Sequence, residues 1–171
     1  MARAAGVSAT AVYLHFDSWT ALIEAVLEQH FTDARTRVES PTAAAGSPRE
    51  RLDAFALALV GWGLAHQGPY QLLFESVDWL KETDAVRASL DEHVAALADD
   101  LRSAGAVEGR ADAVERAELL WTALQGIVAE RRRQARHVGR RDVTEDVLGM
   151  VAIFAGPATG RAHAGPPRIP A

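Results

Sequence analysis

Near the start of the chain, Ser8, Ala9, Thr10, Ala11, Tyr13 and His15 form a group of side chains suited to reading DNA. Gly6 precedes them, and a tight turn is easy there because positive φ meets no Cβ. Ser8 can then cap the next helix by accepting a bond from a free backbone N–H. Ala9, Thr10 and Ala11 are small enough for the end of that helix to sit deep in a major groove. Thr10 can bond a base edge there, and the methyl groups can touch thymine methyls. Tyr13 and His15 then face the flanking sugar-phosphate chain, which positions the helix without specifying a sequence. Val12 and Phe16 point back as core, with Leu22 beneath them. The pattern is the back half of a helix-turn-helix. The bland alternative is a helical hairpin with a glycine turn, and Gly-Val-Ser alone does not separate the two.

A second group is aromatic. Trp62, His66, Tyr70, Phe74 and Trp121, with Gln125, offer apolar walls and a few polar handles, the make-up of a small-molecule pocket. Each of them, taken singly, better suits plain core packing, and the pocket reading belongs to the group. Other chemistry finds no footing. The chain has no Cys, which excludes disulfides, thiolate zinc sites and Cys nucleophiles. Asp91-Glu92-His93 and Asp99-Asp100 read as acidic surface runs without metal-ligand spacing. Gly61-Trp62-Gly63 follows no strand and lacks a third glycine, so it is no dinucleotide loop. No serine stands in a nucleophile elbow. The reading is a non-enzyme with no metal and no cofactor. Arg131-Arg132-Arg133, with Arg136, Arg140 and Arg141, reads as a solvated helix end that complements the macrodipole.

Length and charge set the frame. At 171 residues the chain makes one domain with at most a small appendage, and its hydrophobic share of 49% is ordinary for a globular protein. The net charge of −5 has the wrong sign for holding DNA by bulk electrostatics. Residues 1–16 carry only the cation Arg3 and no acid, so the sign of the whole neither supports nor excludes DNA binding. There is no secretory signal and no apolar run long enough to span a membrane, which suits a cytoplasmic protein.

The elements that must position these groups all have helical periodicity. Leu22, Ile23, Val26, Leu27, Phe31, Ala34 and Val38 predict a helix from about Ser18 to Glu39, ending before the Pro/Gly/Ser-rich stretch 40–48. Ser47-Pro48-Arg49-Glu50 is a capping box that opens a helix with Leu52, Phe55, Leu59, Trp62 and His66 on one face. Gly68-Pro69 ends it and opens a short helix from Tyr70 to Phe74. A fourth helix runs from near Thr83 to Gly105. Asp112-Ala113-Val114-Glu115 caps a long one over about 113–136, and Asp142 caps the last. Gly/Pro-rich residues 156–171 lack periodicity and read as a disordered tail. The predicted fold is all-α, with an incomplete helix-turn-helix and connecting helix over 1–40 and a helical bundle over 48–155.

The string Gly6-Val7-Ser8 through Tyr13-Leu14-His15-Phe16-Asp17-Ser18 resembles the signature of the TetR-type, tetracycline-repressor-like family of bacterial transcription regulators. His66-Gln67-Gly68-Pro69-Tyr70-Gln71-Leu72-Leu73-Phe74 is similar to the H-P-x-x-Y-x-L-x-F stretch of many members. Trp121 to Gly126 resembles the W-x-x-x-H-G segment of one C-terminal subfamily, with Gln125 in place of His. Gly126 is read as a point of close helix approach. The resemblance implies a ligand-responsive repressor that binds a pseudo-palindromic operator in double-stranded DNA as a homodimer. It implies a small, largely apolar effector bound among the helices of 48–136. The last two helices would pair with their symmetry mates through Leu124, Val128, Val147, Val151 and Phe154. The family has Lys where this chain has Trp19, so a phosphate contact is lost. The family's first helix and most of its second would lie before Met1, and the chain as written is therefore expected to bind operator poorly or not at all. A second reading is an N-terminally truncated protein that binds ligand and dimerises without reading DNA.

Overall fold

Side-chain caps set the helix starts in the computed structural model, which describes residues 15–75, 84–133 and 142–156. The Ser18 hydroxyl accepts the Ala21 N–H at 3.0 Å and opens α1, Trp19–Ala43. This helix does not stop before Ser40 as expected but runs on through Pro41. Pro41 removes a single donor near the helix end, where the loss is small. The Thr42 hydroxyl donates to the Val38 carbonyl at 2.7 Å, and the Ala44 N–H reaches the Ser40 carbonyl at 3.3 Å, so the last turn closes anyway.

Ser47 caps α2, Pro48–Ala65, accepting from the Glu50 N–H at 3.2 Å. The Glu50 carboxylate reaches back one residue further than in the usual capping box, to the Gly46 N–H at 3.0 Å. The short helix expected over Tyr70–Phe74 forms earlier, as α3, Gln67–Tyr70, and continues as a looser π-helical turn, Gln71–Glu75. Helix α4 covers Asp84–Ser103 and ends in a left-handed glycine, Gly105 at φ +76°, as the sequence suggested.

Helix α5, Arg110–Arg133, begins before its expected cap, because the Ala113 N–H already bonds the Gly109 carbonyl at 3.0 Å. Asp112 thus lies inside the first turn, where its charge meets the positive helix end. Residues 134–136 of the expected helix lie outside the described residues. Asp142 accepts the Thr144 N–H at 2.9 Å and opens α6, Val143–Ala155. The described residues are all-α, with no strand.

Helix α2 is the hub, packing against α1, α4, α5 and α6. Leu52 and Val60 on α2, Leu101 on α4, Leu120, Leu124 and Val128 on α5, and Val147 and Val151 on α6 are all 0% exposed. Arg116 pins the far end of the bundle, donating to the Ala106 carbonyl at 3.1 Å and the Phe154 carbonyl at 3.2 Å. The close approach expected at Gly126 occurs instead at Gly63. A Cβ on Gly63 would lie 2.7 Å from the Tyr70 ring and 3.1 Å from Val128, whereas one on Gly126 would meet open space. Gly63→Ala is expected to destabilise the chain by about 1–3 kcal/mol through overpacking. Urea denaturation checks this, and wild-type stability in the variant would refute it.

Candidate ligand pocket

A pocket of about 240 Å³ opens between α1, α2 and α4. Val38, Glu39 and Thr42 line it from α1, Phe55 from α2, and Glu92, His93, Ala96, Leu97 and Asp100 from α4. Val38, Phe55 and His93 also border a much smaller inner space of about 20 Å³, where Phe74 and Trp121 form the deep wall.

The aromatic side chains make one connected run of rings. His66 stacks on Trp62 at a centroid distance of 5.4 Å and 17° between planes. Trp62 meets Tyr70 at 6.3 Å, and Tyr70 meets Phe74 at 4.9 Å. Trp121 touches Phe74 and Phe55, both at 6.0 Å. His93 closes the run, 5.8 Å from Phe55 and 6.4 Å from Trp121. Phe55 and His93 line the larger pocket, and these two with Phe74 and Trp121 border the smaller space.

The structure thus divides the six residues expected to hold a ligand. Phe74 and Trp121 border the small space of about 20 Å³ beside the pocket and do not line the larger one. Trp62 and Tyr70 are buried core, and neither lines the pocket. The Trp62 indole N–H instead donates to Asp33 Oδ2 at 3.1 Å, tying α2 to α1. That bond, with the Arg37 guanidinium, holds the Asp33 carboxyl below its ordinary value. His66 is half-buried against Trp62, its Nδ1 lying 3.1 Å from the Trp62 carbonyl. Gln125 is half-buried on α5, away from this pocket.

None of the nine residues lining the larger pocket was among the six expected, and Phe55 and His93 are its two ring-bearing members. The acidic-run reading of Asp91-Glu92-His93 put His93 on the surface, yet it follows Leu90 by three positions and precedes Leu97 by four, on the buried stripe of α4. That spacing was the available signal.

The polar groups of the pocket have settled roles. His93 Nδ1 lies 2.6 Å from the Ser89 carbonyl oxygen, which can only accept, so Nδ1–H is the donor. In the neutral ring this leaves Nε2 as an acceptor. The Thr42 proton goes to the Val38 carbonyl. Asp100 accepts from Arg51 at 2.6 and 2.8 Å, and Glu39 from Arg35 at 2.6 Å. These carboxylates raise the pKa of Arg51 and Arg35 respectively. Glu92 is looser, 4.0 Å from Arg35 and with 69% of its side chain exposed.

Of the expected DNA-reading residues, Ser8, Ala9, Thr10, Ala11 and Tyr13 lie outside the described residues. His15 is exposed, just ahead of α1. Of the tail expected over 156–171, only Gly156 is described. The expected dimer residues need correction. Leu124, Val128, Val147 and Val151 are 0% exposed in the single chain, so they have no surface left to give a partner. Phe154 is half-buried and packs on the same core. An open groove on the outward face of α5 and α6 is lined by Ala123, Gly126, Ile127, Gly149, Met150 and Ile153, with the charged Glu130, Arg131, Glu145 and Asp146 beside them. Exposed Leu119 lies on the same helix α5.

Among the described residues, no group of acids and histidines could hold a metal ion, and no helix is long and apolar enough to cross a membrane. Residues 52–152 match the family model described as the tetracycline repressor-like C-terminal domain. The chain belongs to that family. A solved structure of a protein of unknown function from Rhodococcus sp. RHA1 is 27% identical with a TM-score of 0.70, over 90% of this chain and 80% of that one. No curated protein matches the chain.

Proposed function

We propose that the chain is a ligand-responsive transcriptional repressor, acting as a homodimer in the cytoplasm. What supports this reading is that a single helix joins the pocket to the segment whose sequence resembles a DNA-reading helix. Helix α1 lines the pocket with Val38, Glu39 and Thr42 near its C-terminus, and its N-terminus follows directly on the segment Ser8–His15. Its 25 residues make a rod of about 37 Å at ~1.5 Å per residue. A small tilt where ligand touches α1 becomes a larger displacement at the DNA-reading end. Two reading heads must fit grooves about one turn apart or a multiple, so such a displacement breaks simultaneous contact. Effector and DNA then oppose each other reciprocally.

Dimerisation would use the outward face of α5 and α6. Gly126 and Gly149 have no atom within 4 Å of a built Cβ, leaving room for a second copy's helices, and Leu119 and Ile153 are 54% and 73% exposed. Gel-shift measurements on DNA flanking the chain's own coding sequence test the DNA reading. They compare the chain with its Thr10→Asp/Tyr13→Ala variant. Wild type is expected to retard a fragment with paired half-sites, and the variant to lose the shift. If wild type binds no such fragment, the DNA-reading role fails and the ligand-binding, dimerising alternative takes its place.

A further inference from the structure

Given the ligand-pocket reading, on which this rests, we infer that the occupant is a small organic cation, an amine nitrogen carried on an apolar, aromatic body. Every polar side chain lining the mouth of the pocket is an acceptor. Glu39, Glu92 and Asp100 are carboxylates, which only accept when ionised. The Thr42 hydroxyl proton is already given to the Val38 carbonyl, leaving lone pairs. His93 has given its Nδ1–H to Ser89, and in the neutral ring Nε2 offers a lone pair. A ligand that brings only acceptors, such as a carboxylate or phosphate, would find no donor at the mouth and would face like charge. One that brings N–H donors and a positive charge matches each of these groups.

The cations nearby do not reverse this. Arg51 does not line the pocket and is held by Asp100, and Arg35 reaches only the inner space while bound to Glu39. Among the described residues, the cation that Glu92 meets is Arg35 at 4.0 Å, and the Glu92 side chain is 69% exposed. The rim therefore keeps a negative charge in excess. Phe55 lines the same pocket, and its ring, backed by Trp121 at 6.0 Å, is a surface that can receive an aromatic body and attract a cation.

The test titrates the intact chain with phenethylamine, phenethyl alcohol and 3-phenylpropionate, three ligands with the same ring and different heads. Calorimetry gives the affinities, and tryptophan emission reports contact with Trp121. The amine is expected to bind saturably and about tenfold tighter than the alcohol, the factor given by ~1.4 kcal/mol of combined ion-pair and cation–π attraction. The propionate is expected to bind weakest. The E39Q/E92Q double variant, altered only at exposed positions, should bring the amine down to the level of the alcohol. Equal binding of amine and alcohol, tighter binding of the propionate, or an amine preference that survives E39Q/E92Q each overturns the inference while leaving the pocket standing. Binding of none of the three overturns the inference and the pocket reading together.

Discussion

Trp62→Ala is expected to destabilise the chain by about 3–5 kcal/mol, the range for emptying a buried aromatic site. A domain of this kind has about 5–15 kcal/mol in total, so the variant should sit near its unfolding threshold. The side chain is only 3% exposed and lies between Tyr70 and His66, and its indole N–H is bonded to Asp33 on α1. Trp62→Phe keeps most of the apolar burial and loses the bond, so its cost should be smaller, about 1–2 kcal/mol. The two variants also differ from wild type in acid. The Asp33 carboxyl is held below its ordinary value of 3.8, first by the indole and then by Arg37. A depressed carboxyl stabilises the fold above its unfolded value, and that contribution is lost as pH falls through the folded one. Wild type should therefore lose stability below about pH 4 more steeply than Trp62→Phe, by a modest amount since Asp33 is partly exposed. Urea denaturation at neutral and acid pH gives both numbers. A Trp62→Ala protein as stable as wild type but unresponsive to ligand would return this residue to the pocket wall.

Trp62 also marks the boundary of what the sequence could tell. Local chemistry was legible. Ser18, Ser47 and Asp142 cap helices because a hydroxyl or carboxylate and a free N–H a few residues on need no tertiary context. Pro41 was misread because a proline in a last turn removes one bond and does not stop a helix that Val38 already anchors to the core. The aromatic residues were legible as a group and not individually. A Trp on a helix face packs equally well against a neighbouring ring or against empty space, and only the crossing of α2 over α5 decides. That crossing is set by Gly63, a close approach that nothing local distinguishes from Gly126. His93 was hidden for the opposite reason, since two acids before it outweighed its place between Leu90 and Leu97.

The acceptor-only mouth was beyond sequence reading altogether. It depends on where protons already go, Thr42 to Val38 and His93 to Ser89, within single turns of α1 and α4. Those bonds also explain why such polar groups are tolerated beside Phe55 and Leu97. Each has one partner before any ligand arrives, so the empty pocket carries no unsatisfied donor.

Leu124→Asp and Ile153→Asp are expected to give opposite results, although both lie on the last two helices. The resemblance to the family chose the right helices and the most apolar positions on them. A helix that packs on both sides, however, gives its most apolar stripe to its own core. Leu124 is 0% exposed, and an aspartate there would be a buried charge without a partner, costing more than about 4 kcal/mol. Leu124→Asp should lose its cooperative thermal transition or be recovered only as aggregate. Ile153 is 73% exposed, so an aspartate there should change monomer stability by no more than about 0.5 kcal/mol. Across a two-fold axis each substitution acts twice, and like charges meet where an apolar face was buried. Ile153→Asp should therefore keep the helical circular dichroism of wild type and sediment as a monomer where wild type sediments as a dimer. A variant that still sediments as a dimer at the same concentration would move the interface off α6. A wild-type chain that is itself monomeric would remove the paired reading heads that the repressor mechanism requires.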